Sequence, residues 1–369
     1  MVSGRGAGSP AEHSHRADAL TELLPPAGVD VLLVKDLVNV RYLTGYTGSN
    51  GLALLGDGSR RFITDFRYVE QAAEEVDPSF ERRTAPQELL EAIADALPDG
   101  GLRLGFEEAH ISVRAYKRLR EQLAESVELV STQGLVEGLR AVKEPEEVAR
   151  IRQATELAEA AFEQVIGQGL VGRTERDVAL VLELEMRQRG ARRPSFDTIV
   201  AAGPQGALPH ATPRDVEIQR GEMVVIDWGA ELDGYCSDCT RTLAAGEPGQ
   251  EASDIYGLVL EAQLAGLRTV RAGRTGREVD GVARAVIEQA GHGEHFGHGL
   301  GHGVGLVVHE GPRLSKRTED VLAAGNVVTV EPGIYLPGRF GVRIEDLVVV
   351  TDDGCEILTS LPKELTVTD

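Results

Sequence analysis

Residues 224–242 constrain this chain more than any other stretch. Apolar, partly β-branched residues flank Asp233-Gly234, a pair suited to a two-residue hairpin turn. With Asp233 and Gly234 as the turn, Leu232 faces Tyr235, and counting back pairs Asp227 with Thr240. Side chains alternate across a strand, so Thr240 and Asp238 share a face, and Asp227 and Asp238 become diagonal neighbours. Carboxylates held that close repel unless they share a proton or take a cation between them. A solvated edge hairpin would need neither. Asp227, however, ends Met223-Val224-Val225-Ile226, a run apolar enough for a buried strand, and the hairpin therefore points to a metal.

Further along, His292, His295, His298, His302 and His309 are five of the nine histidines. The run Gly297-His298-Gly299-Leu300-Gly301-His302-Gly303-Val304-Gly305 surrounds imidazoles with glycines, which let backbone come close and leave room for something bound. Glu331 ends a second apolar run, Asn326-Val327-Val328-Thr329-Val330, and Glu345 interrupts the returning run 341–350, read as the other strand of one hairpin. Asp346 points away from Glu345, so one of the two faces the interior. Two Asp, two Glu and one neutral His carry four negative charges, which match two divalent cations with room for a bridging hydroxide. An oxygen-rich shell with one imidazole suits Mn²⁺, Co²⁺ or Zn²⁺ better than a structural thiolate zinc site. Such a pair makes a hydroxide nucleophile near neutral pH and polarises a carbonyl, which is hydrolysis.

At 369 residues the chain is expected to form two domains. Residues 1–16 read as a disordered tail with His13 and His15 in solvent, and a helix begins near Ala17. A strand at 29–34, a hairpin around Gly56-Asp57-Gly58-Ser59, helical spacing at 66–76 and 113–123, and strands at 102–106 and 127–130 make an α/β unit over 17–135. The Gly-rich turn at 44–51 lacks the strand-to-helix context of a nucleotide loop and reads as a tight connection. The second unit opens at Lys143-Glu144-Pro145-Glu146-Glu147, a helix start with Pro145 in the first turn and a buried stripe of Val148, Ile151, Ala154, Ala158 and Phe162. A helix at 175–189 with Thr174 as N-cap, a strand at 198–201, a proline-flanked loop carrying His210, and helices at 253–270 and 278–290 follow.

A formal charge of -21 argues against a nucleic-acid partner or an anionic membrane, since both are held by Lys and Arg. No apolar run is long enough to span a bilayer and no secretory h-region opens the chain, so a soluble cytoplasmic protein is expected. Cys236, Cys239 and Cys355 give no disulfide framework. Cys236 and Cys239 stand three apart on a strand and point to opposite faces, as small core residues rather than a redox or zinc motif.

Taken together, these motifs resemble the pita-bread metallopeptidases, in their aminopeptidase P and prolidase branch. They are Asp227 and Asp238 in their spacing with Ser-Asp-Cys-Thr-Arg-Thr, the Gly-His-Gly-Leu-Gly-His-Gly-Val-Gly run with His309-Glu310, Glu331-Pro332-Gly333, and Val342-Arg343-Ile344-Glu345-Asp346. The fold class implied is α/β (α+β), with a creatinase/prolidase-like N-terminal domain at 17–135 and a pita-bread catalytic domain at 142–362. The resemblance implies two divalent ions, Mn²⁺ first with Co²⁺ or Zn²⁺ as alternatives, held by Asp227, Asp238, His302, Glu331 and Glu345. Glu331 doubles as general base. His210 and His309 contact the scissile amide and the tetrahedral intermediate. His298 lines the pocket, Arg343 orients carboxylates and Tyr335 sits nearby. Arg313 resembles an arginine that holds a free C-terminal carboxylate.

The implied substrates are small peptides with proline in the second position, and the implied assembly is a homodimer. An Xaa-Pro bond has no N–H and a fixed φ, so proteases that hold substrates as extended strands engage it poorly. An Xaa-Pro dipeptidase is expected ahead of an aminopeptidase P acting on longer peptides. A catalytically inactive binding module, or a creatine-type hydrolase, would have replaced carboxylates, and methionine aminopeptidases resemble only the second domain.

Overall fold

A computed structural model describes residues 10–369, apart from 57, 87 and 99. The chain divides into two units, Met1–Arg140 and Ala141–Asp369.

The first unit runs α1 (Pro10–Leu23), β1 (Val31–Val34), α2 (Leu37–Thr44), β2 (Leu52–Gly56), β3 (Ser59–Asp65), α3 (Val69–Glu75), β4 (Glu81–Ala85), α4 (Ile93–Ala96), β5 (Leu102–Glu107), α5 (Val113–Gln122), β6 (Val127–Thr132) and α6 (Leu135–Ala141). Its sheet has the order β4-β3-β2-β1-β5-β6, mixing parallel and antiparallel pairs. Every residue of β1 is buried, as a central strand covered on both faces requires.

One expectation for this unit is corrected. Residues 1–9 of the expected tail lie outside the described residues, but from Pro10 the chain is already helical, not from Ala17. His13 is buried rather than solvated, with Nδ1 bonded to the Tyr42 carbonyl at 3.0 Å, whereas His15 is exposed. Arg16 packs its guanidinium 4.3 Å from the Tyr42 ring centroid, so α1 is fixed by contacts with α2 that no local pattern signals. Helix α2, a segment to which the sequence reading assigned no element, carries buried Asn39, which breaks the apolar pattern. Its amide donates to Glu107 and Glu137, both at 2.6 Å, so tertiary partners satisfy what local propensity does not favour.

The second unit comprises α7 (Pro145–Ile166), α8 (Glu175–Gln188), β7 (Arg193–Pro194), β8 (Ile199–Ala202), β9 (Glu222–Trp228), β10 (Ala230–Leu232), β11 (Tyr235–Cys236), β12 (Cys239–Ala245), α9 (Gln250–Thr269) and α10 (Gly276–Gln289). It ends with β13 (Gly301–Gly303), β14 (Glu310–Leu314), β15 (Val327–Val330), β16 (Gly333–Leu336), β17 (Phe340–Arg343), β18 (Asp346–Val350), β19 (Cys355–Ile357) and β20 (Val367–Thr368). Its two larger sheets have the orders β20-β12-β9-β8 and β14-β13-β15-β18-β19.

Helix α7 starts with Pro145 in its first turn and a capping box between Glu144 and Glu147. Its buried face packs Phe162 on Trp228 of β9, rings stacked with centroids 4.0 Å apart. Residues Val259, Ala262 and Ala283 of α9 and α10 share a core with Val328, Val330 and Val348 of β15 and β18. Each sheet therefore has a helical layer against one face.

The first hairpin has the expected register, with Leu232 opposite Tyr235 and Asp227 opposite Thr240. Its ladder breaks at Gly229 and at Ser237-Asp238, where a Cβ on Gly229 would collide with the Ser237 carbonyl. The second expected hairpin is not a single one. β15 pairs with β18, while β16 pairs with β17 in a separate two-stranded sheet. Glu331 and Glu345 sit at the two crossings between those sheets, where the ladder stops and the side chains turn to the same place. Both Glu345 and Asp346 are buried, at 1% and 0% exposure. Asp346 faces away from Glu345, accepting from Arg241, Gln263 and Thr359 and pairing with Lys363.

Candidate metal centre

Strand ends deliver the acidic groups. Asp227 is the penultimate residue of β9, Asp238 precedes β12, Glu331 follows β15 and Glu345 precedes β18, while His302 is central in β13. One ligand atom from each of Asp238, His302 and Glu345 lies within 4.8 Å of the others, and all three residues are buried. His302 Nε2 is 3.6 Å from Asp238 Oδ2 and 3.3 Å from Glu331 Oε1. Its Nδ1 meets the Gly303 carbonyl at 3.1 Å, which fixes the ring with Nε2 inward. Asp227 is held by the Arg343 guanidinium at 2.5 Å through Oδ2.

The electrostatics are those of a site built for cations. Burial pushes Asp238 well above the usual carboxylate range, and the charges of Glu345, Asp227 and Glu331 push it further. Glu345 rises for the same reasons, burial first and then Glu331 and Asp227. Asp227 is also raised by burial, against the pull of Arg343. Burial would raise Glu331 too, but its contact with His302 and the charges of His298 and Arg343 outweigh this and hold it at about 2. Asp227 Oδ1 is buried without a hydrogen-bond partner. Four carboxylates and an imidazole, one oxygen of them orphaned, fit divalent cations, since ions would neutralise the repulsion and use the free lone pairs.

Behind the acidic groups runs a chain of donors. Arg343 Nε donates to the Thr240 hydroxyl at 3.0 Å, and Thr240 donates to Glu345 Oε2 at 2.7 Å. Arg343 Nη1 donates to the Tyr335 hydroxyl at 3.0 Å, and Tyr335 meets His298 Nε2 at 2.8 Å. Thr329 donates to Glu331 Oε1 at 3.1 Å and accepts from the His302 amide. The sequence reading paired Thr240 with Asp227 but gave neither Thr240 nor Thr329 a role at the site, although a signal existed. Thr240 is the cross-strand partner of Asp227, and Thr329 shares a face with Glu331 two residues on.

These groups open into a cavity of about 920 Å³ lined by Asp227, Asp238, His302, Glu331, Glu345, Arg343, His298, His210, His309 and Arg313. Tyr335 lies behind that lining. His210 stands exposed on the turn after β8, His309 packs edge-on against His302 with centroids 4.4 Å apart, and Arg313 is exposed on β14. Burial, with His302 and Arg313 nearby, lowers His309 to about 4. Burial also lowers His298. Leu180, Phe196, Ile199 and Pro209 add an apolar wall that sequence patterns alone do not assign. A second group of candidate ligands, Asp36, His110 and Glu137, lies in the first unit with side chains 20%, 38% and 39% exposed. The two cysteines of the hairpin are buried and free, as expected of core residues. Among the described residues no helix is long and apolar enough to cross a membrane.

Comparison with known proteins identifies the family of both parts of the chain. Residues 149–352 match the model of metallopeptidase family M24, and residues 16–142 match the creatinase/prolidase N-terminal domain. The uncharacterized peptidase YqhT of Bacillus subtilis is 42% identical over 351 residues, 95% of this chain and 99% of that protein. The solved Xaa-Pro dipeptidase from Bacillus anthracis aligns with a TM-score of 0.93 at 41% identity, covering 96% of this chain and 99% of that one. X-Pro aminopeptidase from Thermotoga maritima aligns at 0.88 and 39% identity, covering 96% and 100%. With a creatinase-like N-terminal domain ahead of a pita-bread domain, this chain belongs to metallopeptidase family M24.

Proposed function

We propose that the protein is a two-metal exopeptidase that hydrolyses Xaa-Pro bonds, with dipeptides as its preferred substrates. The observation that carries this reading is the convergence of Asp227, Asp238, His302, Glu331 and Glu345 on the lining of a cavity that also holds three further histidines and three arginines. Its support in kind comes from relatives named for Xaa-Pro cleavage along their full length.

Asp227, Asp238, His302, Glu331 and Glu345 would hold two divalent ions, Mn²⁺ in our reading. Such ions supply Lewis acidity, which lowers the pKa of water and polarises a carbonyl. Everything else falls to the chain. Glu331, whose Oε1 lies 3.3 Å from His302 Nε2 on the cavity lining, would take the proton of the attacking water and pass it to the leaving nitrogen. His210 and His309 donate to the carbonyl oxygen as it gains charge, and the lowered pKa of His309 keeps its imidazole neutral at pH 7. The Arg343–Thr240–Glu345 chain keeps the carboxylates in place. The apolar wall excludes water and accepts the proline ring. Arg313, opposite His302 in the β13–β14 register, would grip the carboxylate that follows proline in a dipeptide.

A second reading, an aminopeptidase P that trims longer peptides, is favoured by the cavity volume, near the upper end of the roughly 300–1,000 Å³ typical of small-molecule sites. In both readings the enzyme is cytoplasmic and homodimeric. Incubation with Xaa-Pro dipeptides and Xaa-Pro-Yaa tripeptides, with Mn²⁺ or after EDTA, tests the proposal. Proline release from dipeptides that EDTA abolishes is expected. Activity on neither substrate, in protein shown to contain metal, would exclude Xaa-Pro hydrolysis.

A further inference from the structure

The mechanism leaves the buried ion pair of Lys143 and Glu310 unused. Lys143 Nζ lies 2.6 Å from Glu310 Oε1, with the two side chains only 1% and 7% exposed. An ion pair withdrawn from water gains little stability over apolar side chains of similar volume, so its retention suggests a positional role.

Position is what this pair controls. Lys143 sits just ahead of α7 and is tied by its own backbone, its N–H donating to the Gly325 carbonyl at 2.9 Å. Val142 beside it bridges Asn326, whose side-chain amide donates to the Ala141 carbonyl at 2.8 Å. The lysine is thus anchored to the segment that leads into β15 and ends at Glu331. Its ammonium reaches across to Glu310, the first residue of β14, opposite Gly303 in the ladder. Between these strands runs the irregular loop 304–309, ending in His309. Glu310 turns to Lys143 while its chain neighbour His309 packs on His302 and lines the cavity, so the anchor of Glu310 fixes the backbone from which His309 projects. Gly305 completes the arrangement, because a Cβ there would collide with Glu310 Oε1 and crowd Lys143 Cε.

We infer that Lys143, through its buried bond to Glu310, is a positioning residue that sets the imidazole of His309 over the reacting carbonyl. This rests on the Xaa-Pro reading above. A misplaced donor still permits substrate binding but stabilises the transition state less, so the effect belongs in kcat.

A single change would strand a buried charge and destabilise the fold, so the test uses K143M/E310M, which replaces both partners by apolar side chains. In the full, metal-loaded chain, kcat on an Xaa-Pro dipeptide should fall roughly tenfold or more with KM within about twofold and metal content unchanged. The same double change in an H309A background should cost nothing further. Hydrogen exchange at amides 304–310 should rise while the rest of the catalytic unit is unchanged. Wild-type kcat, a loss of metal alongside activity, or full additivity with H309A would each overturn the inference. If the wild type releases no proline, the Xaa-Pro reading fails instead. Exchange then decides alone, and unaltered protection of 304–310 would still refute the positioning role.

Discussion

Arg343 shows how one side chain can organise several others. Buried at 3% exposure, it reaches Asp227, Thr240 and Tyr335 at once, which needs a planar fork rather than a point charge. Arg343→Lys should therefore keep the charge but lose the geometry, weakening metal retention about 10–100-fold, as read by titrating metal into EDTA-treated protein. Unchanged affinity would show that charge alone suffices. His309→Ala should lower kcat about 10²–10³-fold with metal content intact, if the imidazole donates to the developing oxyanion. Titration of the acidic groups gives a third expectation. Asp238 and Glu345 have folded-state pKa values raised by burial and by the neighbouring carboxylates. The metal-free fold carries no penalty below the ordinary carboxylate pKa of about 4, and loses stability as the pH climbs from there towards the raised values. Metal replaces the protons, so the Tm gained on adding Mn²⁺ should grow with pH over the same interval. Scanning fluorimetry with and without EDTA checks this, and a gain independent of pH would contradict it.

At the scale of elements, the glycine between His302 and Leu300 matters as much as the ligands. A Cβ on Gly301 would run into the Thr329 carbonyl, so β13 approaches β15 only because that side chain is absent. Gly301→Ala should push the strands apart, with loss of both metal and activity. Equal metal content in the variant, measured by elemental analysis, would show that the strands yield without consequence. Trp228→Ala should cost about 3–5 kcal/mol by emptying the space against Phe162, measured by denaturant unfolding. The hairpin at 224–242 was legible in the sequence because its turn residues and its period of two agree, and register followed from counting. Glu331 and Glu345 were legible as residues, but not as the points where the chain changes sheets, since a strand interrupted by one residue has the same pattern as a continuous one. Helix α2 and the start of α1 were hidden because Asn39, His13 and Arg16 are buried polar groups whose partners lie far along the chain.

For the whole molecule, the acidic surplus that disfavours nucleic acid also concentrates, within the catalytic unit, into carboxylates that repel one another in the absence of cations. Binding energy for the ions is therefore folding energy for that unit, and metal removal should lower its unfolding temperature more than that of the first unit. The most direct measurement is an anomalous-scattering map of crystals grown with Mn²⁺. Two peaks per chain enclosed by Asp227, Asp238, His302, Glu331 and Glu345 are expected, both absent in an Asp238→Asn/Glu345→Gln variant. Peaks elsewhere, or none among these five side chains at saturating Mn²⁺, would contradict the assignment of this site to metal-dependent hydrolysis.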